Sequence, residues 1–157
     1  MNEIKVTEKT EQKNAGVELL KKTRVRVAPE TYTLVGLRHE DWRKLLENAE
    51  LSPRMTAPFM IFSDQREVTL LLDEIDFATM RHAVRDARLE RGFRLLTFDI
   101  ELDFAVVGFL AEVARILAAA RISIVALSAF SRDHLLVKQN DLAKALKVLG
   151  EYVEELC

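Results

Sequence analysis

Cysteine is almost missing from this chain. Cys157, the last residue, is the only one, which excludes an intrachain disulfide framework and a cysteine-rich metal site. Glycine is scarce: five residues, scattered singly, form no phosphate-cradling loop. The three histidines, His39, His82 and His134, have no second member at ligand or triad spacing. No apolar run reaches a membrane span before a charge such as Arg115 or Arg121 interrupts it. The opening MNEIKVTEKTEQK lacks the apolar core of a signal peptide, so a cytoplasmic location is expected. An excess of one charge is missing too. The net charge is −2, with basic and acidic residues interspersed, and nothing favours nucleic acid or an anionic membrane. What remains is 49% apolar and 31% charged residues, the composition of a soluble globular protein.

The most informative stretch is 91–137. Phe93, Leu95 and Thr97 alternate with Arg94, Leu96 and Phe98 as a strand. Residues 103–108 turn the chain into a helix whose apolar positions Val107, Leu110, Val113, Ala114, Leu117 and Ala120 fall on one face. An apolar strand at 122–130, a polar turn at Ser131, Arg132 and Asp133, and a second strand at 134–137 follow. A last helix is predicted over 141–155.

These residues resemble a known family. Leu102, Asp103, Phe104, Gly108, Ile122, Ser123, Ile124, Ser128, Phe130, Asp133, His134, Leu135, Leu136 and Val137 match the ACT domain. They are most similar to the two-lobed ACT proteins that include the CASTOR-type arginine sensors and bacterial stand-alone members. The departures are Ala129, where threonine is usual, and Ser131 with Arg132 in the turn. The resemblance implies a non-catalytic regulatory module that binds a free amino acid at a domain interface, with no cofactor and no metal.

The first half of the chain repeats the order of the second. IFSDQREVTLLLDEIDFATMRHAV parallels AFSRDHLLVKQNDLAKALKVL, with Phe62 and Ser63 against Phe130 and Ser131. Val25 and Val27 alternate with Arg24 and Arg26, Pro29 breaks the run, and 32–37 resumes it, which reads as two short strands around a corner. A short helix is predicted from His39 to about Asn48, strands at 59–62 and 68–72, and a helix capped by Asp76 to about Asp86. Each copy gives β-α-β-β-α, one strand short of a ferredoxin-like lobe. Residues 87–90 complete the first. The second runs out of chain, so 25–28 is its expected last strand. The expected class is therefore α+β: two ferredoxin-like βαββαβ ACT lobes with antiparallel sheets, interlocked by strand exchange. The expected divisions are a flexible tail at 1–22, a first lobe at 23–90 and a second at 91–157.

For function, the turn 103–108 combines free helix-start amides, suited to a carboxylate, with a glycine that lets a ligand or another backbone come near. A purely structural reading stays open, with Asp103 capping the helix and Gly108 allowing close packing. The resemblance favours a site built from Asp103, Phe104, Val106, Val107 and Gly108, facing Ser128, Ala129 and Phe130, with Asp133 at the rim. In the arginine sensors the aspartate at the position of Asp133 faces the ligand, whereas Val106 is apolar where a guanidinium would need a polar partner. Expected partners are an amino acid, a second copy of the chain and a regulated protein; nucleic acid and membrane are not expected. Two alternatives belong to other classes. Arg91, Gly92 and Phe93 begin like an RNA-recognition signature, but Arg94 and Leu95 break it. The module can also be a purely structural dimerisation unit.

Overall fold

Alternation of β-formers across Arg24–Leu37 produces one strand of 14 residues, β1, where two were expected around Pro29. Proline's fixed φ suits extended chain, and its missing N–H removes a single donor. Pro29 falls between the residues of β1 that pair with β7, Arg24 and Val25, and those that pair with β3, Tyr32 to Leu37. The elements that follow are α1 (His39–Leu46), β2 (Met60–Ser63), β3 (Val68–Asp73) and α2 (Glu74–Met80). Then come β4 (Arg88–Asp99), α3 (Phe109–Ala119), β5 (Ile124–Ser128), β6 (Asp133–Lys138), α4 (Leu142–Leu149) and β7 (Glu155–Leu156). The computed structural model describes residues 15–157.

The described chain forms two compact units: a central one, Pro29–Phe93, and a flanking one made of residues 15–28 and 94–157. In the central unit the order of elements is β-α-β-β-α-β, and its strands lie in the order β2-β3-β1-β4. β3 is antiparallel to both β1 and β2, with Leu34 opposite Leu71 and Ile61 opposite Leu70. Val35, Leu37, Leu45, Val68, Leu70, Leu72, Phe77, Met80 and Val84 form its core. The helix expected to be capped by Asp76 is capped instead by Asp73, whose carboxylate accepts the Asp76 amide at 2.7 Å. Asp76 turns to Arg54 (Nε–Oδ1 2.8 Å), and Arg54 also reaches Asp73 (2.7 Å), so one guanidinium holds two buried carboxylates. α2 stops at Met80, short of the predicted Asp86.

The flanking unit takes the strands in the order β1-β4-β6-β5, with β7 also pairing β1. β5 and β6 are antiparallel, Ser128 opposite Asp133 and Ile124 opposite Val137. Val25, Leu96, Phe98, Phe109, Val113, Leu117, Leu135 and Leu149 lie in its core, where the rings of Phe98 and Phe109 meet edge to face at 5.6 Å. Each such side chain fully buried contributes about 1.5–3 kcal/mol.

Three further expectations need correction. The last helix ends at Leu149, where 155 was predicted. Gly150 closes it, and Glu151, Glu154 and Glu155 beyond it would set acids against the negative end of the helix. The freed chain becomes β7, parallel to β1, with the Cys157 amide on the Val25 carbonyl at 2.8 Å and the Val27 amide on the Cys157 carbonyl at 3.0 Å. The second half therefore does not run out of strands. The tail expected over 1–22 also fails at its end, because 15–20 is helical and Leu20 is 1% exposed within the core. The rest of that expectation, 1–14, lies outside the described residues. Finally, β4 is one strand through Gly92, where separate pieces were expected; a φ of 76° there is a turn only glycine takes cheaply.

Candidate ligand cleft

The strand-to-helix passage in the flanking unit is long. After β4 ends at Asp99, nine residues precede Phe109, the first residue of α3. Gly108 is the helix N-cap with φ 91°, in the left-handed region, so it has a conformational duty of its own. Asp103 does not cap α3, contrary to the structural reading. Its Oδ1 accepts the Ala105 amide at 2.7 Å and its carbonyl accepts the Val106 amide at 2.9 Å, which folds the loop upon itself. The first helical bond, Glu112 amide to Gly108 carbonyl, leaves the amides of Phe109, Leu110 and Ala111 without a partner inside the helix.

Opposite this loop is the β5–β6 hairpin. Its turn is tight, the Ala129 amide donating to the Arg132 carbonyl at 2.9 Å, so that amide is not the unpaired strand-end donor expected from the sequence. Asp133 accepts the Ser128 hydroxyl at 2.6 Å across the hairpin. The Leu102 amide donates to the Ser131 carbonyl at 3.0 Å, lacing loop to hairpin. Asp99 holds Arg132 at 3.2 Å and Arg26 at 2.9 Å, and these guanidiniums keep its carboxyl below the usual range.

Between loop and hairpin lies a cleft of about 260 Å³. Asp103, Phe104, Val106, Gly108, Ser128, Ala129, Phe130 and Asp133 all line it, together with Leu110, Ala111, Ser131 and Arg132. Val107 is not in it: this residue is more than half exposed and faces a neighbouring groove with Ala15 and Ala105. Leu110 and Ala111, within the first turn after the glycine, were not among the expected residues. At the mouth, Phe104 and Phe130 are 80% and 85% exposed and meet edge to face at 5.2 Å. Such exposed phenyls leave apolar surface for an occupant to cover.

His134, beside Asp133 on β6, is half-buried and shares a 2.9 Å hydrogen bond with the Thr97 hydroxyl. Burial lowers its pKa, against the raising effect of Asp133 and with that of Arg132. Among the described residues no cluster of histidine, cysteine, aspartate or glutamate is placed to hold a metal ion, and no helix is long and apolar enough to cross a membrane.

The family comparison falls on this half of the molecule. Residues 88–151 match the ACT domain. No curated protein matches the sequence. Among solved structures, a protein from Agrobacterium tumefaciens is similar in fold, with TM-score 0.68 and 20% identity over 87% of this chain and 92% of its own. A Vibrio cholerae protein of unknown function, described as a possible transport protein, gives TM-score 0.64 and 22% identity, covering 90% and 96% of the two chains. The regulatory subunit of aspartate kinase from Thermus thermophilus, in ligand-free form, gives 0.57 and 10% over 85% and 98%. The match to the ACT domain thus covers residues 88–151, and the α+β fold is shared with solved structures that include an aspartate kinase regulatory subunit.

Proposed function

We propose that this protein is a non-catalytic regulatory module whose cleft holds a free amino acid. The supporting observation is the cleft itself, lined by Phe109, Leu110 and Ala111, whose amides have no partner inside the helix, together with Asp103 and Asp133. A zwitterion matches that pairing. Its carboxylate accepts from the helix start, and its ammonium lies toward the acidic side chains, each charge-assisted bond contributing roughly 1.5–3 kcal/mol. At about 260 Å³ the space is below the usual range for drug-sized ligands and suits a smaller molecule. The ACT match over the same residues supports the reading.

The finer parts of the proposal follow from it. The two units are two ACT-like lobes, interlocked because the first strand serves both, and they act as a cytoplasmic homodimer that passes the ligand signal to a partner protein. β5 is an edge strand of its sheet, the kind of edge a second copy would cover. A thermal-shift screen of the standard amino acids tests the ligand. At least one is expected to raise the melt of the wild type and to leave that of Ala129→Phe unmoved, since Ala129 is an exposed cleft residue whose enlargement fills the space. A screen in which none raises the melt sinks the amino-acid reading and leaves a structural dimerisation unit. Light scattering showing a monomer at tens of micromolar would remove the homodimer.

A further inference from the structure

We propose that Gly16 is a positioning residue for the cleft, so that the helical segment 15–20 and the cleft's occupant are coupled through the loop 103–108. This rests on reading the cleft as a ligand site. A Cβ placed at Gly16 would lie 2.9 Å from the Gly108 carbonyl carbon, 3.0 Å from its oxygen and 3.0 Å from the Phe109 nitrogen. These are backbone atoms with no freedom to swing aside, so glycine alone lets the segment rest there. They are also the atoms that shape the site. The Gly108 carbonyl takes the first α3 hydrogen bond from Glu112, and Phe109, which lines the cleft, is the first residue whose amide has no partner inside the helix.

The segment is held firmly enough to act as a brace. Leu20 shares the core with Phe109 and Val113. Thr23, fully buried, donates its hydroxyl to the Leu19 carbonyl at 2.7 Å and takes the Glu154 amide on its own carbonyl at 2.9 Å. Asp103 and Val106 line both the cleft and the groove that Ala15 borders, so the loop stands between segment and cleft. An occupant that draws on the Phe109 amide pulls on the atoms against Gly16. By reciprocity, whatever shifts the segment alters the occupant's affinity by the same factor.

Helix propensity and contact predict opposite signs for Gly16→Ala. Alanine is the better helix former, so propensity alone raises the melt; the contact lowers it and loosens the loop. Hydrogen exchange on the full chain, without any added amino acid, is expected to quicken at amides 103–112 in Gly16→Ala while 142–149 is unchanged. A higher melt with unchanged exchange at 103–112 overturns the proposal. The standard amino acid that most raises the wild-type melt is the second probe, and its affinity should fall roughly fivefold or more in the variant. Equal affinity also overturns the coupling. If no amino acid raises the wild-type melt, the ligand reading above fails, and exchange in the variant alone decides whether Gly16 positions the loop. Should Gly16→Ala not fold, wild-type exchange with and without that amino acid decides. Slower exchange at 15–20 in its presence supports the coupling, and unchanged exchange there rejects it.

Discussion

The two units solve the same passage, strand into first helix, in different ways. In the central unit β1 ends at Leu37 and α1 starts at His39, with Arg38 as an ordinary extended N-cap at φ −73°. His39 Nε2 meets the Asp64 carbonyl at 2.8 Å and closes the helix start against the β2–β3 turn. In the flanking unit nine residues separate β4 from α3, the N-cap is a left-handed glycine, and the cleft opens between loop and hairpin. The second helices differ in the same sense. α2 is clasped by Arg54 on Asp73 and Asp76, whereas Asp141, at the start of α4, makes no side-chain cap bond. The same order of elements thus gives one locked unit and one with an open helix start. The junctions differ in length, one residue in the central unit and nine in the flanking one.

The largest expected effect breaks the clasp. Asp73 is 2% exposed, caps α2 and holds Arg54. Asp73→Ala removes a cap and a charged hydrogen bond together, for about 2–4 kcal/mol. Urea unfolding measures it. A loss below about 1 kcal/mol would mean the clasp is ornamental, given what one cap alone contributes.

Next comes the glycine junction. Valine at position 108 must adopt φ 91°, so Gly108→Val is expected to destabilise by about 2–3 kcal/mol. Arg38→Val, at the matching place in the central unit, should hardly shift the melt, because its backbone is already extended. Comparable melting of the two variants would show that the junctions do not differ as described.

Much of this contrast was legible in the sequence, and some was not. The strands announce themselves by alternation at 93–98, and the cleft residues all fall within the stretch 91–137. The limits of the strands were hidden at Pro29 and Gly92, where punctuation that usually ends a strand is absorbed within one. Asp76 read as a cap because it precedes Phe77 in a capping pattern. That Arg54 would claim it depends on the path of the loop before β2, which leaves no local signal. Gly16 escaped notice for the same reason, since its partner Gly108 is far along the chain.

A pH effect separates the units at matching strand positions, His134 next to the start of β6 and Thr69 next to the start of β3. Burial holds the folded pKa of His134 below its ordinary value of about 6.5, so the unfolded chain binds the proton more readily. Stability from this group is present above that value and is lost as pH falls through and below it. Unfolding midpoints at about pH 7.5 and about pH 5.5 should differ more in the wild type than in His134→Thr. Parallel slopes in the two proteins would remove His134 as the cause.

The smallest expected effect lies at Asp141. In sequence it matches the acid that starts the second helix of the first copy, and the pattern suggests a cap. Its backbone is helical, φ −94° and ψ −9°, where a capping residue is normally extended, and its side chain takes no amide of α4. What remains is a negative charge near a helix start, an exposed interaction of a few tenths of a kcal/mol. Asp141→Ala is therefore expected to change stability by less than about 0.5 kcal/mol, as an ordinary surface substitution does. Measured beside Asp73→Ala, it sets the scale of the comparison, because Asp73 is buried and caps α2 whereas Asp141 caps nothing. A loss for Asp141→Ala as large as that for Asp73→Ala would mean α4 is capped in solution, and the second-helix asymmetry between the units would disappear.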